Sequence, residues 1–216
     1  MSISQGLVME ENEDPGFEII HLSFRKKLSE SMYGGPVNYY IGNIVFRMTD
    51  PDAKRRMAEG DEIGELARVL CSPNNDGRLI DIRASGVDQA IRRTADILPD
   101  RQPIFEAGFE ANGARCFVDI LLPSGTEVEP QWRMVEVKSS AKLKPYHIED
   151  ASIQAYVATS SGLALSSIEI AHVNSGWTYQ GDENYSGLLT HVDLTEEATA
   201  RKSEISSWIT EAQQVL

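Results

Sequence analysis

Two apolar segments that carry charged residues in their interior constrain the fold of this chain most. Residues 116–122 read CFVDILL, and residues 133–139 read RMVEVKS. Strands that are apolar on both faces are usually central strands covered by helices. A carboxylate in such a strand is costly unless it is ion-paired or binds a metal. The sequence therefore predicts a covered sheet built around Asp119 and Glu136.

The surrounding sequence predicts the other strands. Strands are predicted over 104–110 and 115–122, and Ala111, Asn112 and Gly113 between them are typical of a hairpin turn. Pro123 to Gly125 should end the second strand. Further strands are predicted over 132–138 and 167–173, and a short one over 79–82.

Helices are predicted on both sides of these strands. Asp50 can cap a first helix, which begins at Pro51, and Pro99 should end a second helix that begins near Val87. A third helix is expected over 149–160, and a last one opens at Asp193. The predicted fold is α/β: a mixed central β-sheet flanked by helices, like the restriction-endonuclease core, with a helical N-terminal part.

Composition sets further limits. The length of 216 residues favours a single domain, which is predicted over 17–216. The acidic run MEENEDP at residues 9–15 predicts a mobile acidic N-terminus over 1–16. The sequence holds no apolar run long enough for a membrane span and no signal-peptide pattern, so we expect a cytoplasmic protein without a membrane partner. Cys71 and Cys116 lack any metal-ligand spacing.

The charged residues in the two strands suit one kind of chemistry. Glu136 and Lys138 are two residues apart, so both project from the same face of their strand, while Val135 and Val137 point the other way. Two carboxylates on neighbouring strands form a hard oxygen site suited to Mg²⁺ or Mn²⁺. A lysine beside them can polarise a water molecule. This combination serves phosphodiester hydrolysis.

Each residue also has a simpler interpretation. Asp119 can be a paired core aspartate, and Glu136 with Lys138 can be an ordinary ion pair on one face of a strand. The net charge of −13 also disfavours a protein that coats nucleic acid through summed lysine and arginine contacts. The joint pattern of hairpin, buried Asp, loop, buried ExK and amphipathic helix favours the catalytic interpretation.

The order VDILL, RMVEVKSS, HIEDASIQAYV resembles the PD-(D/E)XK nuclease superfamily, in particular its RecB-like branch, which includes CRISPR-associated exonucleases. The likeness extends upstream to EGDEIGELARVL and IFEAGFEANG and downstream to GLALSSIEIAHVNSGWTY, so that it covers residue 53 to the C-terminus. The resemblance implies a deoxyribonuclease that depends on Mg²⁺ or Mn²⁺. Cleavage from a DNA end, as by an exonuclease, is one mode of action that the resemblance allows.

The resemblance also implies residue roles. Asp119 and Glu136 would be metal ligands, together with the backbone carbonyl of Val137, and Lys138 would be the catalytic lysine. Gln154 would match the glutamine of the helix that follows the core. Glu65 lies on the upstream helix, where the branch often supplies another ligand, and Glu106 is a rival for an accessory role.

The sequence departs from the branch at three points. Gln154 and Tyr156 are two residues apart, whereas the branch usually has Gln and Tyr four apart, so Tyr156 is predicted to be a core residue. The upstream helix presents Gly64 and Glu65 where the branch often has a histidine after a glycine. Many relatives hold an iron–sulfur cluster on four cysteines, and two cysteines cannot hold one, so no iron–sulfur cluster is expected.

The segment after the ExK strand predicts a path for the substrate backbone. Lys142 and Lys144 follow the strand, with His147 beyond them, and these three residues are candidates for nucleic-acid binding. A solvated loop is the alternative, and a surface histidine is the alternative for His147. Trp177 and Tyr179 can stack on a base, with simple packing as the alternative.

Two other functions stay open. The first is a non-catalytic module that retains the nuclease fold and binds nucleic acid or protein. The second, an enzyme acting on a small molecule, is weaker because the sequence has neither a Gly-rich phosphate loop nor a nucleophile elbow. Whether the chain has a protein partner or forms a homo-oligomer is left open.

Overall fold

The computed structural model describes residues 51–214, with side chains from residue 58 onward. The described residues form one six-stranded mixed sheet with helices on both faces, which confirms the predicted α/β class. The elements are α1 (Pro51–Cys71), β1 (Arg78–Leu79), α2 (Ile82–Ser85), α3 (Val87–Ile97), β2 (Ile104–Ala111), β3 (Ala114–Gly125), β4 (Pro130–Lys138), α4 (Pro145–Ser160), β5 (Leu165–Val173), β6 (Leu189–Asp193), α5 (Thr195–Ala200) and α6 (Lys202–Gln213).

The strands lie in the sheet in the order in which they occur in the chain. β2, β3 and β4 are antiparallel neighbours, β4 and β5 run parallel, and β6 is antiparallel to β5. β1 pairs with β2 in parallel. A parallel pair needs a long crossover connection, and α4 provides it between β4 and β5. The carboxyl ends of β4 and β5 therefore lie at the same edge of the sheet.

The two faces of the sheet carry separate apolar clusters. On one face, strand residues such as Met134 and Ile170 pack against α3, α4, α5 and α6. On the other face, Ala67 of α1 packs with Phe105, Ile120 and Val135. Because side chains alternate along β4, Val135 and Val137 belong to the α1 face, as predicted, and Glu136 projects toward α4.

Helix α4 is buried nearly all round. Its buried side chains run from His147 through Val157 and Ala158, with few interruptions. A helix enclosed in this way packs against neighbours on several sides. It contacts β2, β3, β4 and β5 on one side and α5 and α6 on the other. Its polar residues Asp150 and Gln154 are therefore inside the protein.

Several element bounds differ from the prediction. β3 continues through Pro123 to Gly125, because Pro123 still pairs with Trp132 across the antiparallel ladder. α4 begins at Pro145 rather than at residue 149, since proline fits the first turn of a helix. The first strand is shorter than expected, and Ile82 begins α2 instead.

The C-terminal part also differs. The expected single helix after Asp193 is divided at Arg201 into α5 and α6, and β6 was not predicted. Ile205, Trp208, Ile209 and Ala212 are buried on α6, as predicted, and Tyr156 is a core residue, also as predicted. Asp50, the acidic segment 1–16 and residues 17–46 lie outside the described residues. Within the described part, no helix combines the length and apolarity that a membrane span needs.

Thr94 and Gly108 join α3 to the sheet. The buried Thr94 hydroxyl donates to the Ala90 carbonyl at 3.0 Å and accepts from the Gly108 N–H at 2.8 Å. A Cβ on Gly108 would lie 2.7 Å from the Phe117 ring, so glycine allows this close approach. Thr94 thus satisfies a buried backbone donor of β2.

We expect Thr94→Val to lower the free energy of unfolding by about 1–3 kcal/mol, because the Gly108 N–H loses its acceptor in a buried place. Urea denaturation measures this difference. Thr210→Val is the matched control, since Thr210 donates the same kind of hydrogen bond to the carbonyl four residues earlier but is exposed. Its expected cost is within about 0.5 kcal/mol. Equal losses in both variants would contradict the role given to Thr94.

Candidate active site

A partly buried lysine between two carboxylates is the central feature of the site. The Lys138 Nζ atom lies 2.8 Å from Glu136 Oε1 and 3.1 Å from Asp150 Oδ2. Glu136 is 2% exposed, and Asp150 is also buried. Glu136 and Lys138 come from β4 and Asp150 from α4, so the ion pairs join the sheet to the central helix. Charges buried this deeply require such partners.

Asp119 lies where β3 and β4 separate. The paired register between these strands begins at Ile120 and Val135, so the ladder stops short of Asp119. Asp119 Oδ2 instead accepts a hydrogen bond from the Val137 N–H at 2.7 Å. A side-chain carboxylate thus takes a backbone donor that has no strand partner there. This hydrogen bond to Val137 keeps Asp119 beside Glu136 and Lys138, the residues that flank Val137 in β4.

Glu106 stands opposite Asp119 on β2, at a distortion of the ladder. Phe105 pairs with Ile120 and Ala107 with Val118, but Glu106 itself has a φ of +59°. That backbone conformation costs a non-glycine residue roughly 1–3 kcal/mol and persists where the surrounding structure imposes it. Glu106 Oε1 lies 3.8 Å from Arg68 Nη1 of α1. Glu106 is thus near Asp119 in the sheet but ion-paired toward α1.

The electrostatics of the site keep Lys138 protonated. Burial lowers the pKa of Lys138, but the negative charges of Glu136 and Asp150, the hydrogen bond to Glu136 and the nearby charge of Asp119 together raise it well above its usual value. The ammonium form therefore persists at neutral pH. In this arrangement Lys138 can donate hydrogen bonds and positive charge, and it cannot serve as a general base, which needs a pKa near the working pH.

His147 is a buried, neutral residue of the first turn of α4, and not a surface histidine. Its Nδ1 atom accepts from the Lys144 N–H at 3.3 Å, which helps to cap the helix. Burial and the nearby charges of Lys138 and Lys144 lower the pKa of His147 to about 4. His147 therefore brings no positive charge for phosphate at neutral pH, although it lies close to the site.

Asp150 is the site residue that the sequence analysis missed. It precedes Gln154 by four residues, so both lie on one face of α4. That spacing in HIEDASIQAYV was the available signal. Gln154 is 5% exposed, and within the described residues its Oε1 atom has no hydrogen-bond partner. Helix α4 thus brings the Asp150 carboxylate to Lys138. One turn further on, it buries the Gln154 amide oxygen, which has no hydrogen-bond partner within the described residues.

Glu65 is not brought together with the strand carboxylates. Its side chain is 73% exposed and lies 4.0 Å from Arg68 on the same helix. The reason is the orientation of α1, which turns Ala67 toward the face of Val135 and leaves Glu65 on the solvent side. The expectation that Glu65 completes a metal site therefore finds no support in this arrangement.

The segment after β4 presents its lysines to solvent. Lys142 and Lys144 are exposed, and Lys144 Nζ lies 5.5 Å from the centre of the Tyr146 ring. The Ser140 hydroxyl donates to the Lys142 carbonyl at 2.9 Å, so it is already used within the loop. Both lysines are available to a negatively charged ligand at the edge where β4 ends.

No family model matches the chain, and no curated protein matches it significantly. One fold can host many functions, so the arrangement of the site residues is what indicates the chemistry.

The pKa of His147 yields a prediction about stability. In the unfolded chain the ring titrates near 6.5, whereas in the folded protein it titrates with a pKa of about 4. Between these values the unfolded state takes up a proton that the folded state does not. The contribution of neutral His147 to the free energy of unfolding is therefore full above pH 6.5 and is lost as the pH falls toward 4.

We expect the His147 ring signals in NMR spectra to titrate near pH 4. The free energy of unfolding, measured in urea, should fall more between pH 6.5 and 4.5 for the wild type than for His147→Gln. Glutamine cannot titrate in this range. Parallel pH profiles for the two proteins, or a ring midpoint near 6.5, would show that His147 is not held neutral.

Proposed function

We propose that this protein is a metal-dependent nuclease that hydrolyses phosphodiester bonds of DNA. The observation that carries the proposal is the ion pairing of Glu136 and Asp150 with one partly buried lysine, Lys138, where two central strands separate and the charge of Asp119 also acts on that lysine. Perturbed ionisable groups gathered in this way are typical of catalytic sites.

The donor set fits a divalent metal by its chemistry. Three carboxylates and one ammonium, when all are ionised, leave two excess negative charges, which a divalent cation would balance. Carboxylate oxygens are the ligands that Mg²⁺ and Mn²⁺ prefer. Asp119 and Glu136 would hold the metal, together with the Val137 carbonyl. In the present arrangement Glu136 and Asp150 are paired with Lys138, and no three His, Cys, Asp or Glu side chains within residues 58–214 form a metal-binding group.

Each residue has a distinct part in this mechanism. A bound metal would lower the pKa of a coordinated water and offset negative charge on the phosphate. Lys138 keeps its proton, so Nζ can hold a water molecule by hydrogen bonding and stabilise the charge that develops on phosphate oxygens. Asp150 is a positioning residue, since it holds Nζ from the side of α4.

Substrate binding would use the exposed lysines of the segment after β4. The chain as a whole is acidic, with a net charge of −13, so a DNA backbone needs a local positive surface. Lys142 and Lys144 supply it at the edge where Lys138 lies. His147 is buried and neutral, so we assign no phosphate contact to it.

A second candidate is a non-catalytic module that retains the fold. The observation in its favour is that Lys138 already forms ion pairs with both Glu136 and Asp150 from within the protein. A site of this kind can be stable as an internal ion-pair network without a metal. The two candidates differ in whether the protein binds Mn²⁺ and cleaves DNA.

We expect calorimetric titration with Mn²⁺ to show one site in the wild type that Glu136→Gln abolishes, because this change removes a carboxylate charge from the donor set. Glu169→Gln is the matched control. Glu169 lies on the neighbouring strand and is paired to Arg133 at 2.7 Å, but it is remote from Lys138. Its replacement should leave Mn²⁺ binding intact.

The same variants should separate in a gel assay of DNA cleavage with Mn²⁺. Lys138→Ala and Glu136→Gln should each reduce the rate by about 100-fold or more, as expected when a group that stabilises transition-state charge is removed. Glu169→Gln should cleave like the wild type. A wild type that binds DNA but neither binds Mn²⁺ nor cleaves would favour the non-catalytic module.

A further inference from the structure

Three aromatic rings are stacked in the loop between β5 and β6. The loop covers residues 174–188 and is closed at its base by a hydrogen bond from the Asn174 N–H to the Leu188 carbonyl at 2.8 Å. The Trp177 and Tyr185 rings are 6.1 Å apart at an angle of 23°, and the Tyr179 and Tyr185 rings are 5.4 Å apart at 27°. We call this segment the aromatic loop.

The polar ends of two of these rings are used within the aromatic loop. Trp177 Nε1 donates to the Ser186 carbonyl at 2.9 Å, and the Tyr179 hydroxyl accepts from the Glu183 N–H at 2.9 Å. These hydrogen bonds hold the rings in place. The ring surfaces are not fully covered, since Tyr179 is 48% exposed and Trp177 is half-buried. A prearranged, partly exposed stack is suited to receive another flat ring.

The aromatic loop begins beside the candidate active site. β4 and β5 are parallel, and His172 pairs with Lys138 at their carboxyl ends. One residue further, the Val173 N–H donates to the Ser140 carbonyl at 3.2 Å. The aromatic loop and the segment with Lys142 and Lys144 therefore leave the sheet side by side.

The two segments differ in charge. Residues 174–188 contain Asp182 and Glu183 but no lysine or arginine, so the aromatic loop is a poor place for phosphates. Lys142 and Lys144 are exposed across the strand ends, with the Tyr146 ring beside Lys144. A ligand that spans both would place flat, uncharged groups on the aromatic loop and negative groups on the lysines.

We propose that the aromatic loop is a base-stacking platform that selects single-stranded nucleic acid. Unpaired bases offer free faces to aromatic side chains, whereas bases in a duplex are stacked on one another. The phosphates of the same strand contact Lys142 and Lys144, which lead toward Lys138. This inference names the substrate class of the proposed nuclease and rests on that function for its biological meaning.

Tryptophan fluorescence provides a direct test. Of the three tryptophans, Trp132 and Trp208 are buried at 4% and 6% exposure, so a change caused by a ligand reports on Trp177. The full-length protein is titrated with an oligo-dT strand in the presence of a chelator, so that no cleavage occurs. We expect quenching by the single strand, and binding at least about tenfold weaker for a duplex of the same length.

Variants separate stacking from phosphate binding. Trp177→Leu and Tyr179→Leu should each weaken oligo-dT binding by about tenfold while leaving the slope of log affinity against log salt unchanged, since stacking involves no counterion release. Lys142→Ala with Lys144→Ala should instead flatten that slope by about 0.7 for each phosphate that the variant no longer neutralises. Anisotropy of a labelled strand measures both quantities.

Matched controls address packing of the loop. Trp177→Phe and Tyr179→Phe keep a ring and should retain most of the affinity. If Tyr179 acted only through the hydrogen bond that its hydroxyl accepts from the Glu183 N–H, Tyr179→Phe would be as harmful as Tyr179→Leu, since both lack that hydroxyl. Thr178 is exposed and lies between Trp177 and Tyr179 in the sequence, so Thr178→Ala should bind like the wild type. Thermal unfolding checks that each variant is folded.

The outcomes distinguish this inference from the proposed function. If the wild type cleaves with Mn²⁺ but the leucine variants bind oligo-dT with unchanged affinity, the platform is wrong and the nuclease stands. If oligo-dT quenches Trp177 and the leucine variants lose affinity but Mn²⁺ supports no cleavage, the platform stands and the nuclease is wrong. Equal affinity for duplex and single strand would also overturn the platform.

Discussion

The ion pairs of Lys138 with Glu136 and Asp150 are the interactions on which the site depends. They bury charges between the sheet and α4, where each would be costly alone. Removing one partner would leave the others uncompensated, so strand and helix must stay in register. The pairs also determine what Lys138 can do, because neighbouring carboxylates keep it charged. A charged lysine that is rigidly held is suited to stabilise negative charge on a bound phosphate.

The β3–β4 ladder ends next to these ion pairs, and the hydrogen bonding of the backbone there explains how Asp119 is held. Backbone donors inside a protein need acceptors, and the Val137 N–H finds one in the side chain of Asp119 after the β3–β4 ladder has ended. On the other side, Glu106 takes an unusual backbone conformation opposite Asp119. The end of regular β3–β4 pairing thus leaves the Asp119 carboxylate bonded to β4 at Val137, next to Glu136 and Lys138 in the sequence. The carboxyl ends of β4 and β5 and the start of α4 then surround that point.

Much of the site could be predicted because strand geometry is simple. Side chains two apart share a face, so the sequence places Glu136 and Lys138 together and Val135 and Val137 on the opposite face, as the structure has them. Helix bounds are less accurately predicted, since α4 begins at Pro145 rather than at residue 149. That difference changes the environment of His147, which is a buried residue of the helix and not a surface residue before it.

The α/β class, the hairpin and the placement of Glu136 and Lys138 on one face can be predicted from the sequence alone, because these follow from local periodicity and turn chemistry. Which distant residues contact Glu136 and Lys138 depends on how the elements pack against one another. Asp150 reaches Lys138 because α4 crosses between β4 and β5 on that face of the sheet. Glu65 remains in solvent because α1 packs on the opposite face through Ala67. Contacts between elements depend on how helices pack across a sheet, and no local pattern in the chain encodes that choice.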